Sequence, residues 1–426
     1  MGDLEDSFTM EKGMRRSFAA LMGLYLSYFL SYFIKLSPSI IMPVLQTRYA
    51  FSSAQTGFIA SMYFLPYATM QFFVGPLCRR FGAGRLIGIG LAVSAAGILV
   101  FSNGSSVAVL AAGRFLLGLG TSPIFIGMLH FMRESFESER YARYYGLGIF
   151  ISNLGSITAA APLKSLLQVV SMSDFFLVLA VSTFILGIFM FLIDRRPSSE
   201  ALTIGGERLL VGIGKSFKLV FITPILLAGL CMWLVEAPSL VCYQGLWCTK
   251  WTETAFPSLE RLSGLSGIAI SIGTMISSLF TEGLVNAYAR RSGKVRGRIL
   301  AEIGIIHVFA TILLGISKIS DSPALFAFSM ACDVFFGFTT GSIIVQGGVL
   351  VKENTTAGMN ASVMGVYNGI GCLSQQLSQW ITGISVDLFI LHTTLNNAFF
   401  LTFGWLAVLF LVLSLSCIAL IRKQKS

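Results

Sequence analysis

The stretch Tyr25-Leu26-Ser27-Tyr28-Phe29-Leu30-Ser31-Tyr32-Phe33-Ile34-Lys35-Leu36-Ser37-Pro38-Ser39 decides how the chain is read. It lies within Phe18 to Leu45, an apolar run long enough to cross a bilayer, because about 20 helical residues span about 30 Å of hydrocarbon. Lys35 stands near its middle. A membrane-buried ammonium is costly, so it is expected to face a protein interior or a water-filled cavity and to mark a functional path. Tyr25, Tyr28, Tyr32, Lys35 and Ser39 are spaced by threes and fours, which predicts one stripe on one helix face.

The same stretch recurs further along. Leu36-Ser37-Pro38-Ser39-Ile40-Ile41 is echoed by Glu236-Ala237-Pro238-Ser239-Leu240-Val241, and Arg79-Arg80-Phe81-Gly82-Ala83-Gly84-Arg85 by Arg290-Arg291-Ser292-Gly293-Lys294-Val295-Arg296. Arg114-Phe115-Leu116-Leu117-Gly118 returns as Asp333-Val334-Phe335-Phe336-Gly337, and Phe175-Phe176-Leu177 as Phe399-Phe400-Leu401. The offsets are 200, 211, 219 and 224, rising as small loop insertions would make them. Two similar halves in the same order are implied.

Hydrophobic residues make up 55% of the 426 and charged residues 12%, against roughly 25% charged in a soluble domain. An all-α polytopic membrane protein follows. The net charge of +10 does not imply nucleic acid, because the basic residues collect in alternate loops rather than on one face. The seven cysteines include no CxxC, and Cys231, Cys242, Cys332, Cys372 and Cys417 fall in apolar segments as small buried hydrophobes. No histidine has a ligand-spaced partner, so no metal and no cofactor are expected. No cleavable signal is read before the first span, since Met1 to Arg16 is acidic then basic.

Twelve spans are predicted: Phe18 to Leu45, Ser53 to Leu77, Gly84 to Phe101, Val107 to Met132, Tyr141 to Val170, Phe175 to Ile193, Thr223 to Trp247, Leu262 to Asn286, Ile299 to Ile316, Ala324 to Val351, Ala361 to Val386 and Ala398 to Ile421. The basic stretch Asp194 to Phe217 reads as a linker. The expected division is an N-terminal six-helix bundle over 1–197, a cytoplasmic linker over 198–222 and a C-terminal six-helix bundle over 223–426. Of the 30 Lys and Arg residues, 23 fall on one side and only Arg48, Lys164, Lys250, Arg261 and Lys318 on the other, leaving Lys35 and Arg114 inside spans. Both termini are accordingly expected in the cytoplasm.

Twelve spans in two parallel halves, a basic loop between spans 2 and 3, and Arg114-x-x-x-Gly118-x-Gly120 in span 4 together resemble the major facilitator superfamily over the whole chain. Gly75, Leu77, Arg80 and Gly82, with Arg85 closing the loop, match that family's gating-loop signature. Its acidic residue is replaced by Arg79. In the family that acid is associated with locking the cytoplasmic side, so Glu137 and Glu139 are the alternative partners for Arg79 and Arg80. Tyr32-Phe33-Ile34-Lys35 followed by Met42-Pro43 resembles the place where glycerol-phosphate exchangers carry a substrate-binding arginine, and Arg114 to Pro123 resembles their fourth span. Those exchangers have a histidine where this chain has Ser152, and a second arginine in span 7 that is missing here. Lysine is also a point charge rather than the fork that suits phosphate. A phosphate ester is therefore not expected. The glycine-proline signature of drug-exporting antiporters is absent from span 5. Tyr243-Gln244-Gly245-Leu246-Trp247 and Gln379-Trp380 resemble bacterial carriers that fix no substrate.

Arg114 and Asp333 are repeat equivalents on spans 4 and 10. The resemblance gives the arginine a part in coupling or switching; the simpler reading is hydrogen bonding to backbone carbonyls. Asp333 is a candidate proton carrier, because burial favours a neutral acid, or an acid that only caps local polar groups. Glu236 is the other central acid and, with Asp333, a candidate for coupling: an internal Lys35 to Glu236 ion pair is expected, either structural or opened by a substrate carboxylate and by protonation of Glu236, which would free the lysine. Ser239, Tyr243, Gln244 and Trp247 on span 7 and Asn368, Gln375 and Gln379 on span 11 are expected to join Tyr28, Tyr32 and Lys35 around a small organic molecule, though some will only bridge helices. Gly118, Gly120, Gly337 and Gly341 read as close helix packing.

The function expected is a secondary transporter of a small organic solute, an anion, across the cytoplasmic (inner) membrane by alternating access, coupled to a proton or another ion and acting as a monomer in the lipid bilayer. An exchanger, antiporter or exporter of the same fold and a non-transporting sensor are the alternatives. No enzyme is expected, since nucleophile, base and metal do not cluster.

Overall fold

The computed structural model describes residues 2–136, 138–193 and 206–423, and every regular element among them is a helix. The helices make the twelve crossings of two six-helix bundles. Span 1 is Gly2–Leu36 with Pro38–Tyr49; span 2 is Ser53–Ser61, Phe64–Met70 and Val74–Phe81; span 3 is Ala83–Ser102. Span 4 is Val107–Thr121 with Pro123–Ser135, span 5 is Ser138–Thr158 with Ala161–Leu166, and span 6 is Met172–Ile193. Span 7 runs through Pro224–Pro238, Ser239–Trp247 and Cys248–Ala255, followed by Leu265–Ser292, Arg296–Ile316, Pro323–Glu353, Ala357–Ile390 and Leu395–Lys423 as spans 8 to 12. Among the described residues, 10 helical runs are long and apolar enough to cross a membrane by length and composition. The other two crossings are span 2, cut into three short helices, and span 11, whose Asn368, Gln375, Gln376 and Gln379 dilute its apolar character.

Proline decides where the spans bend, because it cannot donate to the carbonyl four residues back. Pro38, Pro66, Pro76, Pro123 and Pro162 each follow a helix break within a few residues. Spans 8 to 12 carry proline only at the first turn of span 10 and run unbroken. In the second bundle the breaks are confined to span 7, at Pro238 and the π-helical turns after it.

The two halves repeat in geometry as well as in sequence. Gly82 and Gly293, equivalent in the duplicated basic loop, both turn the chain with positive φ, 85° and 66°, a region that only glycine enters cheaply. A Cβ on Gly118 would overlap the carbonyl of Tyr63, and one on Gly337 that of Ile270. Spans 2 and 4 therefore meet backbone to backbone exactly where spans 8 and 10 do. Leu177, Val178, Val181, Phe184, Ile185 and Ile188 on span 6 are exposed, a row that is stable against lipid and not against water.

The predicted linker overlaps a helix, Gly206–Ile222, whose Phe217 ring lies 5.9 Å from Phe72 of span 2. The remainder of that stretch, 194–205, lies outside the described residues. Spans 1, 2 and 5 pack against spans 7, 11 and 8 to join the bundles. At the end remote from the termini two polar contacts tie them. Asp387 of span 11 accepts from the backbone N–H groups of Ser53 and Ala54, both at 2.8 Å, so its charge sits on the positive end of span 2. Lys164 of span 5 donates to Glu253 Oε1 at 2.6 Å, to the carbonyl of Glu260 at 2.8 Å and to Ser263 Oγ at 2.7 Å. Gly57 and Gly383 lie where a Cβ would overlap the carbonyls of Gln379 and Ser53 respectively. This end is closed.

At the opposite end Arg296 gathers spans 8, 9 and 10. It donates to Glu282 at 2.9 Å, to Glu353 at 3.0 Å, to Asn286 at 3.0 Å and to Gln346. Arg296 is the repeat equivalent of Arg85, so the second half supplies acidic partners where the first half's signature acid is replaced by Arg79.

Candidate functional site

The break in span 1 builds the centre of the molecule. Pro38 leaves the carbonyl of Ile34 without its helical donor. Arg114 of span 4 takes that place: Nη1 donates to Ile34 O at 3.1 Å and Nη2 to Ala60 O, beside the break in span 2, at 3.2 Å. The guanidinium lies 4.8 Å from the centroid of the Tyr63 ring, and Tyr63 is fixed by a 2.6 Å bond to Thr121. Arg114 is only 2% exposed. Its contacts are those of a structural clamp on spans 1, 2 and 4.

Lys35 sits on the turn just before the break. Its Nζ lies 5.5 Å from the centroid of Tyr32 and 5.7 Å from that of Phe64, within the range of cation–π attraction. The tyrosine stripe continues toward the termini, with Tyr28 at 5.2 Å from Tyr32 and 5.7 Å from Phe125, and Tyr25 donating to the carbonyl of Tyr144 at 2.8 Å. Ser39 turns back to Leu36 O at 3.0 Å.

The expected Lys35 to Glu236 ion pair is not formed. Glu236 is 4% exposed and Lys35 acts on it electrostatically, yet among the described residues neither has an ion pair or a hydrogen-bonded side-chain partner. The reason lies in the helix breaks. Lys35 ends one helical segment and bends toward Tyr32 and Phe64, whereas Glu236 lies before Pro238 and the wider π-helical turns Ser239–Trp247, so the two charges act on each other through space without meeting. Cys372 of span 11 lies in the field of both. Gln375, one turn on, is 5% exposed and its Oε1 finds no donor among the described residues. Gln379 donates through Nε2 to the carbonyl of Val241 at 2.7 Å. Asn368 is half-buried on the same helix. Spans 1, 7 and 11 thus converge. Tyr67 of span 2, in electrostatic reach of Tyr32 and Cys372, joins them; its four-residue spacing from Tyr63 was the signal for it in the sequence.

Three residues expected around a ligand are engaged elsewhere. Tyr243 donates to Asp333 Oδ1 at 2.6 Å and packs against Trp251, Phe336 and Phe403. Gln244 donates to Ser271 Oγ at 2.8 Å and to Gly267 O at 3.3 Å. Trp247 donates to Thr382 at 3.0 Å. The π-helical turns rotate these side chains into the second bundle, which helical periodicity in the sequence did not reveal. Asp333 also accepts from Ser266 at 2.6 Å, so it ties span 10 to spans 7 and 8 as Arg114 ties span 4 to spans 1 and 2. Ser239 meets His307 Nε2 at 2.8 Å, and the ring's Nδ1 meets Thr339 at 2.8 Å.

Lys318 differs from its sequence reading. Counted with a surface loop, it is 1% exposed, bonded to Thr252 at 3.1 Å and Ser329 at 2.6 Å, under the rings of Trp251 and Phe256. Burial pushes its ammonium below the ordinary range, and the charge of Asp333 opposes that shift.

In the gating loop, Gly75 has open space around it, Gly82 makes the turn, Arg80 lies over Phe81 at 5.2 Å and Arg85 is half-buried. Glu137 lies outside the described residues, and the side chains of Arg79 and Glu139 are likewise not described.

Comparison with solved structures finds the same fold elsewhere. Two crystal structures of the nucleoside transporter NupG, one of them of a point mutant, superpose with TM-scores of 0.73 and 0.75 over 94% of this chain and 99% of theirs, at 15% sequence identity. That likeness is one of fold. A Drosophila melanogaster protein named "Putative inorganic phosphate cotransporter" is 28% identical over 123 residues, 28% of this chain and 23% of the relative. The match thus spans about a quarter of that relative's length. The family model of the Major Facilitator Superfamily matches residues 24–378, most of the chain and all of its central spans, and the protein belongs to that superfamily.

Proposed function

We propose that this transporter carries a small organic anion by proton-coupled alternating access, with Lys35 receiving the anionic group. The observation that carries the reading is the ammonium of Lys35, near the middle of a 32-residue span, over the rings of Tyr32 and Phe64 and with no ion pair among the described residues. A central cation left in this way is stabilised most by an anion that arrives. Tyr28, Tyr32, Tyr67 and Asn368 supply rings and an amide, a lining suited to an organic body rather than to an inorganic ion.

Coupling is assigned to Asp333. Its two oxygens each accept from a hydroxyl, Tyr243 and Ser266. Protonation turns one of those oxygens into a donor, so at least one bond must rearrange and the tie between spans 7, 8 and 10 changes with the proton. With the basic-rich end in the cytoplasmic compartment, the closed end bearing Asp387 and Lys164 faces outward and the conformation is inward-facing.

The test is uptake into proteoliposomes of labelled organic acids, amino acids and sugars, with and without a pH gradient. Acid-gradient-dependent accumulation of members bearing a carboxylate supports the reading. Accumulation of sugars alone, or uptake indifferent to the gradient, contradicts it.

A further inference from the structure

Glu236 is the buried group that anion binding at Lys35 leaves unexplained. It is 4% exposed and within electrostatic reach of Lys35, and the two interact through space without touching. A buried carboxylate without a hydrogen-bonded partner is expensive, and a distant cation repays only part of that cost. One turn along span 11 from Cys372, which senses both charges, the Oε1 of Gln375 also lacks a donor. Gln375 stands between Cys372 and Gln379 at spacings of three and four, so all three share one helix face, and Gln379 reaches the backbone of span 7 at Val241. Gly371, next to Cys372, lies against Trp233 and Ala237, so this stretch of span 11 runs beside Glu236. The centre therefore offers one cation on span 1, a carboxylate on span 7 with no hydrogen-bonded partner among the described residues, and on span 11 the Oε1 atoms of Gln375 and Gln379, both without a donor.

We infer that the substrate is a zwitterion: an organic acid that also carries a protonated amine, its carboxylate on Lys35 and its ammonium shared by Glu236 and Gln375 Oε1. An ammonium has three donors and no acceptor, which satisfies both of these acceptors at once. A simple monocarboxylate would leave them unpaired and add a negative charge beside Glu236. The aromatic side chains of Tyr32, Phe64 and Tyr67 around the same centre suit an apolar or aromatic body between the two charged ends.

This inference rests on the organic-anion reading, and the experiment separates the two. Full-length protein in lipid nanodiscs is titrated with matched pairs: phenylalanine and 3-phenylpropionate, leucine and 4-methylpentanoate, 4-aminobutyrate and butyrate. In at least one pair the amine-bearing member is expected to bind about 10-fold or more tightly than its amine-free analogue, the worth of one charged hydrogen bond. Glu236→Gln should reduce that preference to within about threefold, by weakening the amine-bearing member and, with the repulsion at Glu236 gone, tightening the amine-free one. Gln375→Leu, which removes the acceptor without touching a charge, should reduce the preference in the same direction and serves if Glu236→Gln does not fold. Equal or tighter binding of the amine-free member in every pair, a full amine preference in either folded variant, or no binding by any amine-bearing member overturns the inference. Amine-free acids that bind equally to wild type and Lys35→Ala would instead overturn the organic-anion reading.

Discussion

The guanidinium of Arg114 donates to the carbonyl of Ile34 at 3.1 Å, the one carbonyl that Pro38 strips of its helical donor. One proline thus creates the acceptor that one arginine occupies, and the kink this bond holds sets Lys35 against Tyr32 and Phe64. Removing the arginine takes a donor from the buried carbonyl of Ala60 and leaves that of Ile34 with only the 3.2 Å bond from Ser37 Oγ, at about 1–3 kcal/mol for a donor lost. Arg114→Leu is expected to lower thermal stability in detergent, and the loss should shrink by about 1 kcal/mol in a Pro38→Ala background, where the helix supplies its own donor. Additive losses would show that the two residues act independently.

The bonds of Asp387 to Ser53 N and Ala54 N and the Lys164 to Glu253 pair hold one end shut. Charged hydrogen bonds of this kind are worth about 1.5–3 kcal/mol each, so Asp387→Ala should raise the population open at that end by roughly 10-fold or more. Spin labels on spans 2 and 11 near this end measure it by their distance distribution. A distribution unchanged from wild type would remove the latch.

Asp333→Asn keeps one acceptor oxygen and loses the titrating acid. Gradient-driven accumulation should fall to the level seen without a gradient, while exchange of labelled for unlabelled substrate persists. Full accumulation with an unaltered pH dependence in this variant would move coupling to another residue.

The 23 to 5 division of basic residues fixes an expected topology. In a cysteine-free background, Ser258→Cys should react with an impermeant thiol reagent added to intact cells, and Ser199→Cys should not. The reverse pattern would invert the transporter in its membrane.

Much of the fold was legible in the sequence because the physics that shapes it is local. Apolar runs marked the spans, and the duplicated loop placed Gly82 and Gly293 at equivalent turns. What was not legible depended on rotation and depth. The π-helical turns after Pro238 swing Tyr243, Gln244 and Trp247 into the second bundle, and no periodicity of a regular helix foretells that. Lys318, five residues from Pro323 in a polar connection, reads as a surface charge until Trp251 and Phe256 are seen to cover it. The Lys35 to Glu236 gap likewise follows from two kinks whose directions the residue spacing does not carry.

Lys35 is the residue on which the functional reading turns, and binding to a double variant tests it most directly. Removing Lys35 alone strands Glu236 and confounds folding with recognition, so Lys35→Ala is combined with Glu236→Gln, and Lys35→Arg serves as the charge-preserving control. The probe is the acid accumulated most strongly by wild-type proteoliposomes, titrated calorimetrically against folded protein. Lys35→Arg should retain part of the affinity and the double variant should lose about 10-fold or more. Wild-type affinity in the folded double variant would show that Lys35 does not hold the substrate.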